Sequence, residues 1–197
     1  MNKIYDRQYF DRWYRRGGIG HAARLARKVA LAVATTEYHL ERPIRTVLDI
    51  GCGEGAWRAP LLKLRPNISY LGFDSSDYAI TRYGHTRNLH FAHFADFQHL
   101  RPCAPVDLLI CSDVLHYLET RELDRGLPAL AELCGGVAFI EMFTRGDGAE
   151  GDQADFKQRH ADFYRKRLHA TGLRALGSHC WLSPQLVPHA AAMELPG

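Results

Sequence analysis

The stretch Val47-Leu48-Asp49-Ile50-Gly51-Cys52-Gly53-Glu54-Gly55 decides the fold. A short apolar run ends in glycines at alternate positions, which reads as a buried parallel strand entering a tight turn. Gly51 and Gly53 let the backbone turn and approach a ligand with no Cβ in the way. A helix is expected over about 56–65, ended by Pro66. Its N-terminus offers N–H groups to a carboxylate or phosphate. Asp49, just before the turn, can face the same pocket, where an acid suits an ammonium group or a cation.

Downstream, the same alternation repeats. Tyr70–Phe73 reads as a strand ending at Asp74, and Leu89–Phe94 as one ending near Asp96. Val106–Cys111 and Val137–Met142 read as the fourth and fifth strands, with Arg174–Leu182 a candidate sixth. Helices are expected over 76–84, 119–134 (with Pro128 inside) and 153–171. Strands alternating with helices over short connections predict an α/β, doubly wound, mostly parallel sheet with helices on both faces. Residues 144–152 form a polar, glycine-rich loop at the ligand edge of such a sheet, either a lid or a solvated loop.

Upstream, residues 3–16 read as an aromatic, basic helix broken by Gly17, Gly18 and Gly20. Residues 21–40 carry Ala22, Leu25, Ala26, Val29, Ala30 and Val33 at helical spacing, and Pro43 ends the segment. Residues 1–43 are thus an N-terminal helical cap and 44–197 the binding domain, together one compact domain.

The 197 residues suit one domain, and 46% hydrophobic with 24% charged residues is ordinary globular composition. A net charge of +3 does not demand nucleic acid, although residues 1–45 hold ten Lys or Arg against Asp6, Asp11, Glu37 and Glu41. Five cysteines with no CxxC pair read as reduced thiols, so no metal site is expected. The absence of a membrane-length apolar run and of a signal-peptide core points to the cytoplasm. Nothing in the sequence reports oligomeric state.

Three further clusters sit at expected strand ends. Asp74 lies 25 residues after Asp49, where a carboxylate accepts hydrogen bonds from ribose hydroxyls. Asp96-Phe97 pairs a carboxylate with an aromatic ring, which suits an adenine. Ser112-Asp113 with His116 follows the fourth strand.

In this order the pieces resemble the class I, Rossmann-like S-adenosylmethionine-dependent methyltransferases, over about residues 46–142. Val47 to Gly55 is similar to that family's first motif, Leu71 to Ser76 to its second and Phe94 to Phe97 to its third. Val106 to Tyr117 is similar to its fourth and Gly135 to Glu141 to its fifth. The resemblance implies that Gly51, Cys52, Gly53 and Gly55 cradle the methionine part of S-adenosylmethionine. It implies that Asp74, with Ser75 beside it, holds the ribose, and that Asp96 and the Phe97 backbone meet the adenine. Ser112 would face the methionine end or the substrate, and S-adenosylhomocysteine would be the product. Family members usually finish with an antiparallel hairpin. Here a single strand candidate precedes Pro184, Pro188 and Pro196, so a reduced C-terminal edge is expected.

For methyl transfer the protein must align two reactants and exclude water, with a base where the nucleophile needs one. His116 is the candidate base, the alternative being a hydrogen-bonding loop histidine. Asp113 either orients it, touches substrate or caps the next helix. Tyr5, Tyr9, Phe10 and Trp13 form an aromatic stripe, with Tyr14 in the same helix; it reads as a lid over the pocket or as packing. Tyr9, Trp13, Tyr14, Tyr117 and Glu141 are the candidate substrate contacts. Arg12, Arg15 and Arg16 are a solvated face or grip an anionic substrate.

The expected acceptor is a small molecule. An RNA or DNA methyltransferase is the first rival, supported by the basic, aromatic N-terminal region. Against it stand the small net charge and Ser112-Asp113-Val114-Leu115 where adenine-modifying enzymes often carry an Asn/Asp-Pro-Pro-aromatic motif. An NAD-dependent oxidoreductase is disfavoured by Asp49, where dehydrogenases usually have an apolar residue. A non-catalytic cofactor-binding protein is the third rival.

Overall fold

A computed structural model describes residues 5–16, 22–148 and 152–194, without the side chains of Arg15 and Arg16. The expected glycine break at Gly17, Gly18 and Gly20, the Arg15–Arg16 part of the basic cluster and the middle of the 144–152 loop lie outside the described residues.

Helix α1 (Arg7–Phe10) is capped by the Asp6 side chain, which accepts from the Tyr9 amide. It runs on as a π-helical turn over Asp11–Arg16. Helix α2 (Ala22–Leu40) buries Val29, Ala32, Val33 and Thr36; of the expected apolar face, Val29 and Val33 are buried and Leu25 partly so, while Ala22, Ala26 and Ala30 are exposed. Then β1 (Thr46–Ile50), α3 (Arg58–Leu64), β2 (Ser69–Asp74), α4 (Asp77–Arg87) and β3 (Leu89–Phe91) alternate. A 3₁₀ turn (Phe94–Gln98), β4 (Val106–Ser112), α5 (Thr120–Leu133), β5 (Cys134–Glu141), α6 (Ala161–Ala170), β6 (Arg174–Gly177) and β7 (Cys180–Leu182) follow.

The seven strands lie in the order β3-β2-β1-β4-β5-β7-β6. The first five are parallel, and β7 pairs antiparallel with both β5 and β6. Alternate residues of β4 enter opposite layers. Leu109 and Cys111 pack with Leu123, Leu127 and Leu130 of α5 and Leu168 of α6. Leu108 and Ile110 pack with Val29 and Val33 of α2 and Leu61 of α3. A strand buried on both faces has no polar side to show, hence the apolar run Leu108–Cys111.

Two expectations are corrected. The C-terminal edge is not reduced, because Arg174–Leu182 is a hairpin of two strands. Gly177, Ser178 and His179 turn it, all with positive φ (90°, 48° and 66°). Helix α6 is half the expected 153–171, since the backbone before it is claimed by other elements. The Lys157 amide donates to the His116 carbonyl (2.8 Å), and the Arg159 guanidinium donates to the Leu118 carbonyl (2.9 Å).

Candidate functional site

A cavity of about 540 Å³ opens at the carboxyl ends of the parallel strands. Its floor is Gly51 and Gly53 after β1, Asp74 and Ser75 at the end of β2, His93 and Phe94 after β3, and Ser112 and Asp113 at the end of β4. Tyr5, Tyr9, Phe10 and Tyr14 cover it from the N-terminal segment, and Tyr117 and Asp155 close its far side. This is the edge of an open α/β sheet at which ligands bind.

The glycine turn is shaped by contact. Gly51 has φ +75°, and a Cβ there would fall 2.1 Å from Val114 Cγ2. Gly53 has φ +53°, and its Cβ would lie 3.1 Å from the Phe10 ring. The amides of Gly51 and Cys52 both donate to the Phe73 carbonyl (2.7 and 3.0 Å). The Gly53 amide donates to Asp74 Oδ2 at 2.7 Å, and the Ser76 amide to Asp74 Oδ1 at 2.8 Å. The turn amides are therefore taken up within the chain, and α3 starts only at Arg58, so the expected row of free helix N–H groups is absent here. Burial raises the pKa of Asp74, and the backbone amides that it accepts oppose the rise.

Several expected site residues are turned away from the cavity. Asp49 is 1% exposed and accepts from the Tyr70 hydroxyl at 2.6 Å, because strand alternation sends it into the α2–α3 layer. Burial lifts its pKa to about 7. Cys52 packs in the same layer, its sulfur against Gly72, and burial pushes its thiol pKa well up. Gly55 sits over Leu89. Asp96 is exposed and accepts from the His93 amide (2.8 Å), capping the 3₁₀ turn, while Phe97 is fully buried edge-on to Phe73. β3 ends at Phe91, three residues before the expected end, so His93 and Phe94 take the cavity positions assigned to Asp96 and Phe97.

The β4 end divides in the same way. Ser112 lines the cavity and donates to Glu141 Oε2 at 2.7 Å. Asp113 lines it too, with φ +61° and one buried oxygen, Oδ1, that has no hydrogen-bond partner among the described residues. Desolvation, then the charge of Glu141, raise its pKa to about 6, against Lys28 and Arg24. It does not cap α5, whose N-cap is Glu119. His116, 2% exposed, points away from the cavity into the rings of Tyr117, Phe143 and Phe156. Its Nδ1 accepts from the Phe143 amide at 3.3 Å. That geometry suits an anchor of the β5 exit, not a base. Glu141 is held by Lys28 Nζ at 2.5 Å and Ser112, below the cavity wall, and these bonds outweigh burial to lower its pKa.

Tyr9, Tyr14 and Tyr117 face the cavity as expected, but Trp13 does not. A π-helical turn repeats at i+5, so it sets Tyr14 above Tyr9 where an α-helix would have set Trp13.

Residues 48–136 match the methyltransferase domain family. The trans-aconitate 2-methyltransferase of Azoarcus sp. (strain BH72) is 28% identical over 155 residues, covering 76% of this chain and 58% of the relative. That of Deinococcus radiodurans is 31% identical over 161 residues, covering 80% and 58%. The chain thus spans 58% of the length of these curated relatives. The crystal structure of magnesium protoporphyrin IX methyltransferase from Synechocystis PCC 6803, with bound SAH, superposes with TM-score 0.61 at 21% identity, covering 86% of each chain. The fold is that of the class I S-adenosylmethionine-dependent methyltransferases.

Within this methyltransferase fold, two contributions escaped the sequence reading. Lys28 was counted among the N-terminal cations, yet it is the partner of Glu141. Arg42, from the same group, pairs with Asp107 through both nitrogens (3.1 and 2.7 Å). For Lys28 the available signal is its place on α2 beside Val29, since a partly buried cation needs a carboxylate; Arg42 follows the helix and gives no such signal. His93 and Phe94 were hidden by the length assigned to β3. The five cysteines are free thiols, and no group of three or more His, Cys, Asp or Glu able to hold a metal occurs among the described residues. No described helix is long and apolar enough to cross a membrane.

Proposed function

We propose that this protein binds S-adenosylmethionine along the ends of β1 to β4 and directs its methyl group to a small-molecule acceptor, releasing S-adenosylhomocysteine. One observation carries the reading: the Gly51–Gly53 turn and Asp74 are locked together at the floor of one cavity, with His93 and Ser112 on either side. The residues fit the cofactor. The Gly51–Gly53 turn, held against Val114 and Phe10, borders the space for its methionine part. Asp74 accepts from the amides of Gly53, Ser76 and Ser75, which leaves its two oxygens a lone pair for a ribose hydroxyl. Ser75 lies beside it, His93 and Phe94 are placed for the adenine, and Ser112 for the methionine end.

When bound, the cofactor supplies an already activated sulfonium methyl. The chain's own task is alignment and exclusion of water, for which Tyr9, Phe10 and Tyr14 form a cover over the floor. Trans-aconitate 2-methyltransferase relatives support a small acceptor. A nucleic-acid acceptor is disfavoured, because Lys28 and Arg42 are spent on Glu141 and Asp107 and because carboxylates rim the cavity.

Titration calorimetry with S-adenosylhomocysteine tests the reading, with single-site uptake the expected result. No heat from a protein with a cooperative melting transition rejects it. Turnover of labelled cofactor with candidate acceptors then separates an enzyme from a protein that only binds.

A further inference from the structure

We propose that the acceptor is a small amine that enters as an ammonium ion, recognised by Asp113 within a cage of tyrosines. This rests on the cofactor-binding reading above and narrows the class of its second substrate.

The cavity is lined by six carboxylates, Asp74, Asp77, Asp113, Glu119, Glu122 and Asp155. Among the described residues one lysine lines it, Lys157, whose ammonium is 2.6 Å from Glu119. His93 is the other basic side chain in the lining. Such a wall repels a polycarboxylate and concentrates cations. The contrast with the curated relatives is direct, because trans-aconitate carries three carboxylates at neutral pH.

The second step is the orphan oxygen. Asp113 Oδ1 is buried with no hydrogen-bond partner among the described residues, and a buried acceptor of this kind is costly unless something donates to it. Its backbone is held in a left-handed conformation, with its amide donating to the Glu141 carbonyl at 2.9 Å. Lys28 and Arg24 of α2 both act on its charge, and the Lys28 ammonium is bonded to Glu141. Asp113 thus lines the cavity, with its Oδ1 just beneath the solvent-exposed surface.

The third step is aromatic. Tyr9, Phe10, Tyr14 and Tyr117 line the same cavity. The Tyr9 and Tyr14 rings are 6.3 Å apart, and Phe10 and Tyr14 5.6 Å apart. The charge of Asp113 acts on both Tyr14 and Tyr117, raising their phenol pKa further after burial has raised it first. Electron-rich ring faces around a carboxylate favour an organic cation.

An ammonium must lose one proton before its nitrogen can act. Asp113 is placed to receive it and pass it to water. The free lone pair then forms the N–CH₃ bond while the methyl–sulfur bond breaks, and that bonding pair stays on sulfur.

The test uses the full chain saturated with S-adenosylhomocysteine, so that failure of cofactor binding is seen first and separately. Phenethylammonium chloride, sodium phenylacetate and trans-aconitate are then titrated by calorimetry. The ammonium probe is expected to bind at least ten-fold more tightly than either anion. Asp113→Asn, checked for folding by its melting curve, is expected to weaken it at least ten-fold. Should that variant not fold, Asp155→Asn, at an exposed loop position, is expected to weaken the ammonium two- to five-fold and the anions not at all. Equal or tighter binding of an anion, no binding of the ammonium, or unchanged affinity in a folded Asp113→Asn protein would each overturn the proposal.

Discussion

The Gly53 amide donates to Asp74 Oδ2 at 2.7 Å, and through this bond the turn after β1 is fastened to the end of β2. The other oxygen of the same carboxylate takes the Ser76 amide, at the start of α4. One buried acid therefore sets the spacing of two loops as well as offering its remaining lone pairs to a ligand. Structure and binding converge on a single side chain.

Asp74→Ala should therefore weaken both. Hydrogen bonds to a charged group contribute about 1.5–3 kcal/mol each. S-adenosylhomocysteine affinity is expected to fall at least ten-fold, about 1.4 kcal/mol. Urea unfolding of the ligand-free variant should show a loss of comparable size. Calorimetry on a variant with wild-type stability and wild-type affinity would contradict this account.

Gly51 gives a cleaner steric prediction. An alanine there meets Val114 Cγ2 at 2.1 Å and holds a φ of +75° that only glycine adopts without strain. Overpacking and the backbone penalty together suggest a loss of about 2–4 kcal/mol. Gly51→Ala combined with Val114→Ala relieves the clash but not the backbone, so part of the stability should return. Gly148→Ala meets no atom of the described residues within 4 Å of the new methyl and is expected to stay within about 0.5 kcal/mol of wild type. Urea melts of the four proteins make the comparison.

How far the sequence could be read follows from the range of the interactions involved. The parallel strands are legible because burial on both faces leaves apolar runs, as in Leu108–Cys111. The turn was legible because positive φ selects glycine at 51 and 53. The side to which a residue points was harder to read. Asp49 sits beside the turn in sequence, yet strand alternation directs it to Tyr70. The three-residue error at β3 has a similar origin: His90, Phe91 and Ala92 continue a strand-like pattern, and only the Asp96–His93 cap stops it. Trp13 was misplaced because a π-turn has no periodicity signature in so short a segment. The C-terminal hairpin was missed because Gly177-Ser178-His179 lacks the Asn-Gly or Asp-Gly pair by which tight turns announce themselves.

His116 tests the distinction between a reacting group and a supporting one. It accepts from the Phe143 amide and fills a space between three rings. His116→Ala should cost about 2–4 kcal/mol, from a cavity and an unsatisfied amide. A folded His116→Gln, which retains an acceptor, should recover part of that loss. Both variants should keep cofactor affinity within a few-fold of wild type when assayed below their melting points. A histidine serving only as a base would show the reverse, with stability untouched.

The last prediction concerns pH and the buried pair of Asp49 and Tyr70. Burial, the largest influence, lifts the folded-state pKa of Asp49 to about 7, the charge of Asp74 adds to the rise, and the Tyr70 hydroxyl opposes it. The unfolded value is about 3.9. Between these two values the folded chain holds more protons than the unfolded one, so this group makes stability fall as pH rises from about 4 to about 7. Above that window the cost is paid in full. Asp113, with a folded pKa of about 6, contributes in the same direction over a narrower range. Asp49→Asn keeps the size and an acceptor for the Tyr70 hydroxyl but cannot ionise. The variant is therefore expected to gain on wild type as pH rises, matching or trailing it at pH 5 and exceeding it at pH 8. Urea unfolding at the two pH values measures the difference directly. A gap between the two proteins that is the same at both would mean that Asp49 keeps its ordinary pKa in the folded chain.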